Sequence, residues 1–267
     1  MRIGWIGLGQ IGTEMVKRLL AAGFAVKIHP RGNGRNAAER AGAVVCPDYA
    51  ELAVQCDALF LCVYDAAQLE SVLFAQGALA ALRPGSLVVV HTTASPGLLR
   101  RIEGAAREAG LALLDGCFSG GPADAAAGRL TLIAGGDAET LERVRPAVST
   151  YAAHINLVGR VGDGQTVKLL NNLLFATNMM HAAEILALAD ALGVAPERLP
   201  AVVQQSSGAS RAMELVVRAG SLEALLPAIR PYLEKDVAGA VAALAEAGIQ
   251  PGAFASTARR FAVVSEN

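Results

Sequence analysis

The sequence predicts an N-terminal doubly wound α/β domain, built on a parallel sheet, followed by an all-α C-terminal domain. Three observations predict it. From residue 1 to about residue 158, short β-rich runs alternate with helical stretches, the pattern of a parallel sheet covered by helices. IGLGQIG, residues 6 to 12, places glycines at 7, 9 and 12 directly after an apolar opening run. Beyond about residue 162 the β-branched runs vanish, and leucine, alanine and methionine dominate through to Ala247. The expected domains are 1–160 and 161–267.

The strand candidates, in order, are RIGWI, AVKIH from Ala25, ALFLCV from Ala58, SLVVVH from Ser86, LALLD from Leu111, LTLIAG from Leu130 and HINLV from His154. Helices are expected between them, among others over 10–22 and 67–81. A further helix starts at Pro96, a first-turn proline, with Ser95 as its cap. The all-α part opens with a helix over about 163–192 that is apolar on nearly all sides, so other helices or another subunit should cover it.

A chain of 267 residues, 53% hydrophobic and 18% charged, can bury a large core. Its net charge of −1, with lysines and arginines scattered, lacks the cationic footprint of a protein that grips nucleic acid or an acidic membrane surface. Cys46, Cys56, Cys62 and Cys117 show no CxxC pair and no histidines at ligand spacing, which predicts reduced thiols, a cytoplasmic setting and no metal site. The first residues run straight into the glycine loop, so no signal peptide is expected. The longest apolar stretch, 167–192, is broken by Lys168, Asn171, Asn172, Asn178, His181 and Glu184 and is not expected to span a membrane.

A strand, then GxGxxG over Gly7, Leu8, Gly9, Gln10, Ile11 and Gly12, then a helix is the arrangement that binds a dinucleotide. The first glycine makes the turn, the second admits the pyrophosphate, and the third packs helix on strand. The phosphates meet the positive end of the helix. This makes the sheet Rossmann-type. After the second strand the chain reads IHPRGNGR, with no acidic residue for a ribose hydroxyl, and Arg31 offers a cation to a 2′-phosphate, so NADP is expected over NAD, with a solvated loop arginine as the competing reading.

Two further stretches carry chemistry. In LLDGCFSGGPADAAAG a strand ending at Asp115 is followed by Ser119, Gly120 and Gly121, whose hydroxyl and unobstructed N–H groups suit a carboxylate. An ordinary loop is the competing reading. In GDGQTVKLLNN, Lys168, Asn171 and Asn172 cluster on one side of an apolar helix. Burial of such a lysine lowers its pKa and suits it to exchange a proton with an alcohol or carbonyl oxygen. A lysine near a helix start can equally reach solvent.

Through four motifs in order, GLGQIG, DGCFSGGPADAAAG, GDGQTVKLLNN and LEKD, the chain resembles the β-hydroxyacid dehydrogenases, the family of 3-hydroxyisobutyrate dehydrogenase. The resemblance implies hydride transfer between NAD(P) and a small carboxylate-bearing substrate, with Lys168 as general acid and base. It implies that Ser119, Gly120 and Gly121 hold the substrate carboxylate, that Asn171 and Asn172 orient the substrate, and that Lys235 and Asp236 close the site near the nicotinamide. Val63 and Thr93 become cofactor contacts. The apolar long helix, for its part, suggests a homodimer or homotetramer, with cover by a helical core of the same chain as the competing reading. Three departures stand out: His91 replaces an acidic residue beside the cofactor, Arg211 replaces an aromatic and offers a second anion clamp or an exposed helix residue, and only the arginine remains of an Asn-Arg pair. The chain also stops soon after FASTARRF, so a remodelled substrate pocket or subunit contact is expected. The alternatives are C=N reduction, as in the related imine reductases, which usually lack the lysine, and a non-catalytic dinucleotide-binding protein.

Overall fold

The computed structural model describes residues 1–29, 32–195 and 197–262. Its contacts divide the chain into two compact units, Met1–Lys168 and Leu169–Asn267.

The first unit is built on one eight-stranded sheet: β1 (Arg2–Ile6), β2 (Ala25–Ile28), β3 (Val44–Val45), β4 (Ala58–Leu61), β5 (Leu87–Val90), β6 (Ala112–Ser119), β7 (Leu130–Gly135) and β8 (Ala152–Gly159). The spatial order is β3-β2-β1-β4-β5-β6-β7-β8. Neighbouring strands are parallel except β6 and β7, which run antiparallel. All seven strand candidates are present, and the two-residue edge strand β3 is an addition. The expected end of a strand at Asp115 is corrected: β6 continues to Ser119, because Gly116, Cys117 and Phe118 find ladder partners in Ala134, Ile133 and Leu132.

The strands read as nearly continuous apolar runs because both faces are covered. Trp5, Phe60, Val89 and Leu114 pack on one face with Met15 and Leu19 of α1 (Gln10–Ala21). Leu59, Leu61, Val88 and Val90 pack on the other with Leu99 and Ile102 of a helix over Pro96–Glu108. That helix starts as expected: the Ser95 hydroxyl accepts the Leu98 N–H at 3.1 Å, and Pro96 occupies the first turn. The stretch 67–81 is less regular than expected. A helix over Ala66–Glu70 widens after Ser71, whose carbonyl accepts the Gln76 N–H, and ends at Gly77.

A long helix over Asp163–Ala191 leads into the second unit, which also contains helices over Arg198–Val203, Arg211–Ala219, Leu222–Glu246 and Ala255–Ala262. Leu173, Ala176, Met180, Met213, Val216, Leu233, Val237 and Phe261 form its own core. The hydroxyls of Ser210 and Ser221 cap the third and fourth of these five helices.

Candidate active site

Strand order reverses at β1, so β1 and β4 flank the switch point where open α/β sheets bind ligands outside the carboxyl ends of their strands. The glycine loop sits there. Gly7 has φ +107°, and a Cβ on it would lie 2.2 Å from the Cys62 carbonyl oxygen, so only glycine makes this turn against β4. A Cβ on Gly12 would meet the Gly7 carbonyl at 2.3 Å, which explains the close packing of helix on strand. Gly9 differs: its φ is −72°, and a Cβ there would have nothing within 4 Å. The fold itself does not require glycine at position 9. The space in front of it, at the N-terminus of α1, fits a phosphate that approaches backbone N–H groups closely. Residues 7 to 12 would hold NAD(P) here.

The rest of the loop divides between core and surface. Leu8 is buried and serves the loop through its backbone, its carbonyl accepting the Gly34 N–H at 3.0 Å. Gln10 is exposed and Ile11 half-buried. The Trp5 indole N–H donates to the Gly7 carbonyl at 3.0 Å and steadies the turn from below. Val63 lies against Gly7, and its N–H donates to the Thr92 hydroxyl at 3.0 Å, which donates to the Val63 carbonyl at 3.1 Å. Thr93 is half-buried next in sequence. Arg31 lies outside the described residues.

His91 has no part in a cofactor surface. It is 2% exposed among Trp5, Phe60, Phe118 and Tyr151. Its Nδ1–H donates to the Gly116 carbonyl at 2.5 Å, so Nε2 accepts the Tyr151 hydroxyl at 2.9 Å. Burial pushes its pKa down to about 4, and burial likewise raises the Tyr151 phenol. The imidazole is a neutral core group.

Ser119 ends β6, half-buried, and Gly120 follows at φ +125°. A Cβ on Gly121 would have nothing within 4 Å, so its backbone is approachable. Its N–H, however, donates to Asp124 Oδ2 at 3.0 Å, and Asp124 is paired with Arg129 at 3.5 Å. Of the two glycine amides expected to serve a carboxylate, that of Gly121 is engaged within the protein.

Two residues that the sequence reading passed over hold the start of the long helix. Asp115 and Gln165 are fully buried and hydrogen-bonded to each other at 2.9 Å. Lys168 follows one turn later, half-buried. The signal was an acidic residue in an otherwise apolar strand and an amide beside two glycines, groups that bury only with partners.

In the second unit, Asn171 Nδ2 donates to Asn172 Oδ1 at 3.0 Å, and Asn172 Nδ2 donates to Asp236 Oδ2. The Lys235 ammonium lies 3.3 Å from Asp236 Oδ1. The asparagine pair and the late Lys-Asp pair therefore form one cluster, in which Asp236 is 6% exposed and fixes which way the Asn172 amide faces. Arg211 opens its helix exposed and paired with Glu214 at 2.5 Å. Among the described residues no group of three His, Cys, Asp or Glu side chains is placed to hold a metal ion, and no helix is long and apolar enough to cross a membrane.

Residues 2–159 match the NAD-binding domain of 6-phosphogluconate dehydrogenase, and residues 162–266 match the NAD-binding domain of NADP-dependent 3-hydroxyisobutyrate dehydrogenase. With the switch-point glycine loop, this makes the chain an NAD(P)-dependent oxidoreductase. It is 36% identical to an NAD-dependent L-serine dehydrogenase of Pseudomonas aeruginosa over 86% of this chain and 78% of that one. It is 38% identical to an L-threonate dehydrogenase of Cupriavidus necator over 78% of this chain and 71% of that one. Its structure superposes on the 3-hydroxyisobutyrate dehydrogenase of Mycobacterium tuberculosis, solved with L-serine, with a TM-score of 0.88 at 27% identity, covering 98% of this chain and 93% of that one. The chain belongs to the β-hydroxyacid dehydrogenase family, enzymes that act on the CH–OH group of small hydroxy acids.

Proposed function

We propose that the chain interconverts a short, polar β-hydroxy acid and its semialdehyde or keto acid, with Lys168 as general acid and base. The observation that carries this reading is the placement of Lys168, half-buried one turn beyond a hydrogen-bonded helix start, with Asn171 and Asn172 on the next turn of the same helix. Bound NAD(P) supplies the hydride acceptor in oxidation and the donor in reduction. In oxidation the neutral Lys168 amine takes the hydroxyl proton of the substrate. In reduction its ammonium donates a proton to the oxygen on which negative charge develops. That charge is largest in the transition state, so the lysine stabilises it more than either ground state.

Ser119 and the Gly120 amide take the substrate carboxylate, and Gly121 joins them when Asp124 releases its N–H. Asn172, held by Asn171 and Asp236, presents its amide in one fixed orientation. Lys235 and Asp236 close over the nicotinamide, and Gly7 to Gly12, Val63 and Thr93 hold the rest of the dinucleotide. Arg31 selects NADP over NAD. The pairing of Arg211 with Glu214 supports its reading as an exposed helix residue. Exposed Leu170, Leu174 and Leu188 on the long helix support a homodimer or homotetramer. The burial of Cys46, Cys56 and Cys117 supports a reducing, cytoplasmic setting.

The names of the serine and threonate relatives support a hydroxy acid of similar size. The test is a spectrophotometric screen of serine, threonate, 3-hydroxyisobutyrate and related acids with both cofactors. Turnover of at least one such acid, faster with NADP, is expected. Turnover of cyclic imines with none of the hydroxy acids would overturn the reading.

A further inference from the structure

The turn that leads into the long helix is held by a buried network that the proposed chemistry does not use. Asp115 Oδ2 accepts the backbone N–H groups of Gly162 at 3.2 Å and Gln165 at 2.9 Å, and Oδ1 accepts Gln165 Nε2 at 2.9 Å. Gln165 Nε2 also donates to the Thr92 carbonyl at 3.1 Å, and Gln165 Oε1 accepts the Ala94 N–H at 2.8 Å. One glutamine thus ties the helix start to β6 and to the segment after β5. The backbone is cleared for this contact: a Cβ on Gly164 would lie 2.8 Å from Asp115 Oδ2, and one on Gly135 would lie 2.5 Å from the Arg160 carbonyl.

Burying a carboxylate is costly, and a well-packed apolar residue would hold two elements together at least as well. What an apolar residue lacks is direction. The carboxylate takes helix-start N–H groups in one geometry and faces the positive end of the helix with a negative charge. Lys168 stands three residues after Gln165, on the same face of the helix.

We infer that Asp115 and Gln165 are positioning residues for Lys168: their hydrogen bonds lock the first turn of the helix in one geometry and so aim the lysine. Given the proton-exchanging role proposed for Lys168, turnover then depends on this lock. Burial pushes Asp115 up to about 6, so the folded chain takes up this proton before an unfolded one does and acid alone does not open the lock.

The charged and titratable groups around it are few. On β6, the Cys117 Sγ–H donates to Asp115 Oδ1 at 3.7 Å. After β5, His91 is neutral and bonded to Gly116 and Tyr151. At the helix start, Asp163 turns away to accept the Arg160 N–H at 3.1 Å. Arg100, from the helix over Pro96–Glu108, lies beside Gly162. On β7 the nearest residue is Gly135, which carries no charge.

The test compares amide hydrogen exchange over residues 162–168 in the full chain between the unmodified protein, Asp115→Asn and Gln165→Ala, with kcat and dinucleotide Kd measured in parallel. In Asp115→Asn, which turns one acceptor oxygen into a donor facing N–H donors, protection and kcat should each be at least roughly tenfold lower, as expected for a misaimed group, with dinucleotide Kd unchanged. Should that variant fail to fold, Gln165→Ala, which removes the ties to Thr92 and Ala94, decides in the same way. Unmodified protection or unmodified kcat in the variant that folds would overturn the lock. Full turnover in Lys168→Ala beside lowered protection in Asp115→Asn or Gln165→Ala would overturn the role of the lysine and leave the lock standing.

Discussion

His91 offers a quantitative test of how the first unit is held together. In the folded chain its pKa lies at about 4, against 6.5 in an unfolded one. As pH falls through 6.5 the unfolded chain takes up a proton that the folded chain refuses until about pH 4, so stability is lost across this window. At about 1.4 kcal/mol per pH unit, the gap amounts to about 3 kcal/mol. Asp115 works in the opposite sense. Its folded value of about 6 lies above the unfolded 3.8, so the folded chain takes its proton first and gains about 3 kcal/mol as pH falls between the two. The two slopes nearly cancel in the unmodified protein. His91→Gln keeps a donor for Gly116 and an acceptor for Tyr151 but does not titrate, which exposes the Asp115 slope. Urea unfolding followed by emission of Trp5, the single tryptophan, reports this unit, since Trp5 stacks on Phe60 beside His91. The stability of His91→Gln relative to the unmodified protein should rise by about 3 kcal/mol from about pH 6.5 to pH 4. Parallel profiles for the two proteins would refute the assignment of a buried neutral imidazole.

The glycine loop separates two kinds of glycine. Gly9→Ala should leave the urea midpoint unchanged and weaken dinucleotide binding at least roughly tenfold by calorimetry, because its methyl group meets no protein atom but stands in the phosphate space. Gly7→Ala should instead lower stability by roughly 1–3 kcal/mol or more, since its Cβ would enter the Cys62 carbonyl at a positive φ. Asp124→Ala frees the Gly121 amide and removes a negative charge beside the proposed carboxylate seat, so KM for the hydroxy acid should fall several-fold in steady-state assays while kcat holds.

Much of the fold was legible because apolar runs and glycine turns are local signals. The seven strand candidates and the Ser95–Pro96 helix start were each visible in a few residues. The antiparallel entry of β7 was not, since an apolar run does not encode the direction of its partner, and GCFS after Asp115 has no alternation that marks it as strand. At the site, the motifs were legible one at a time and their pairings were not. Asn172 bonds to Asp236 across 64 positions, and Asp115 meets Gln165 across 50, so neither contact leaves a trace in nearby sequence. His91 looked like a cofactor-side departure because its two core partners, Gly116 and Tyr151, lie 25 and 60 positions away.

The most direct measurement of the central claim is single-turnover hydride transfer in Lys168→Ala, with dinucleotide Kd determined on the same preparation. A rate lower by about 10² to 10⁴, the usual contribution of a general acid or base, with Kd within about twofold, is the predicted result. A rate within about threefold of the unmodified enzyme would contradict it.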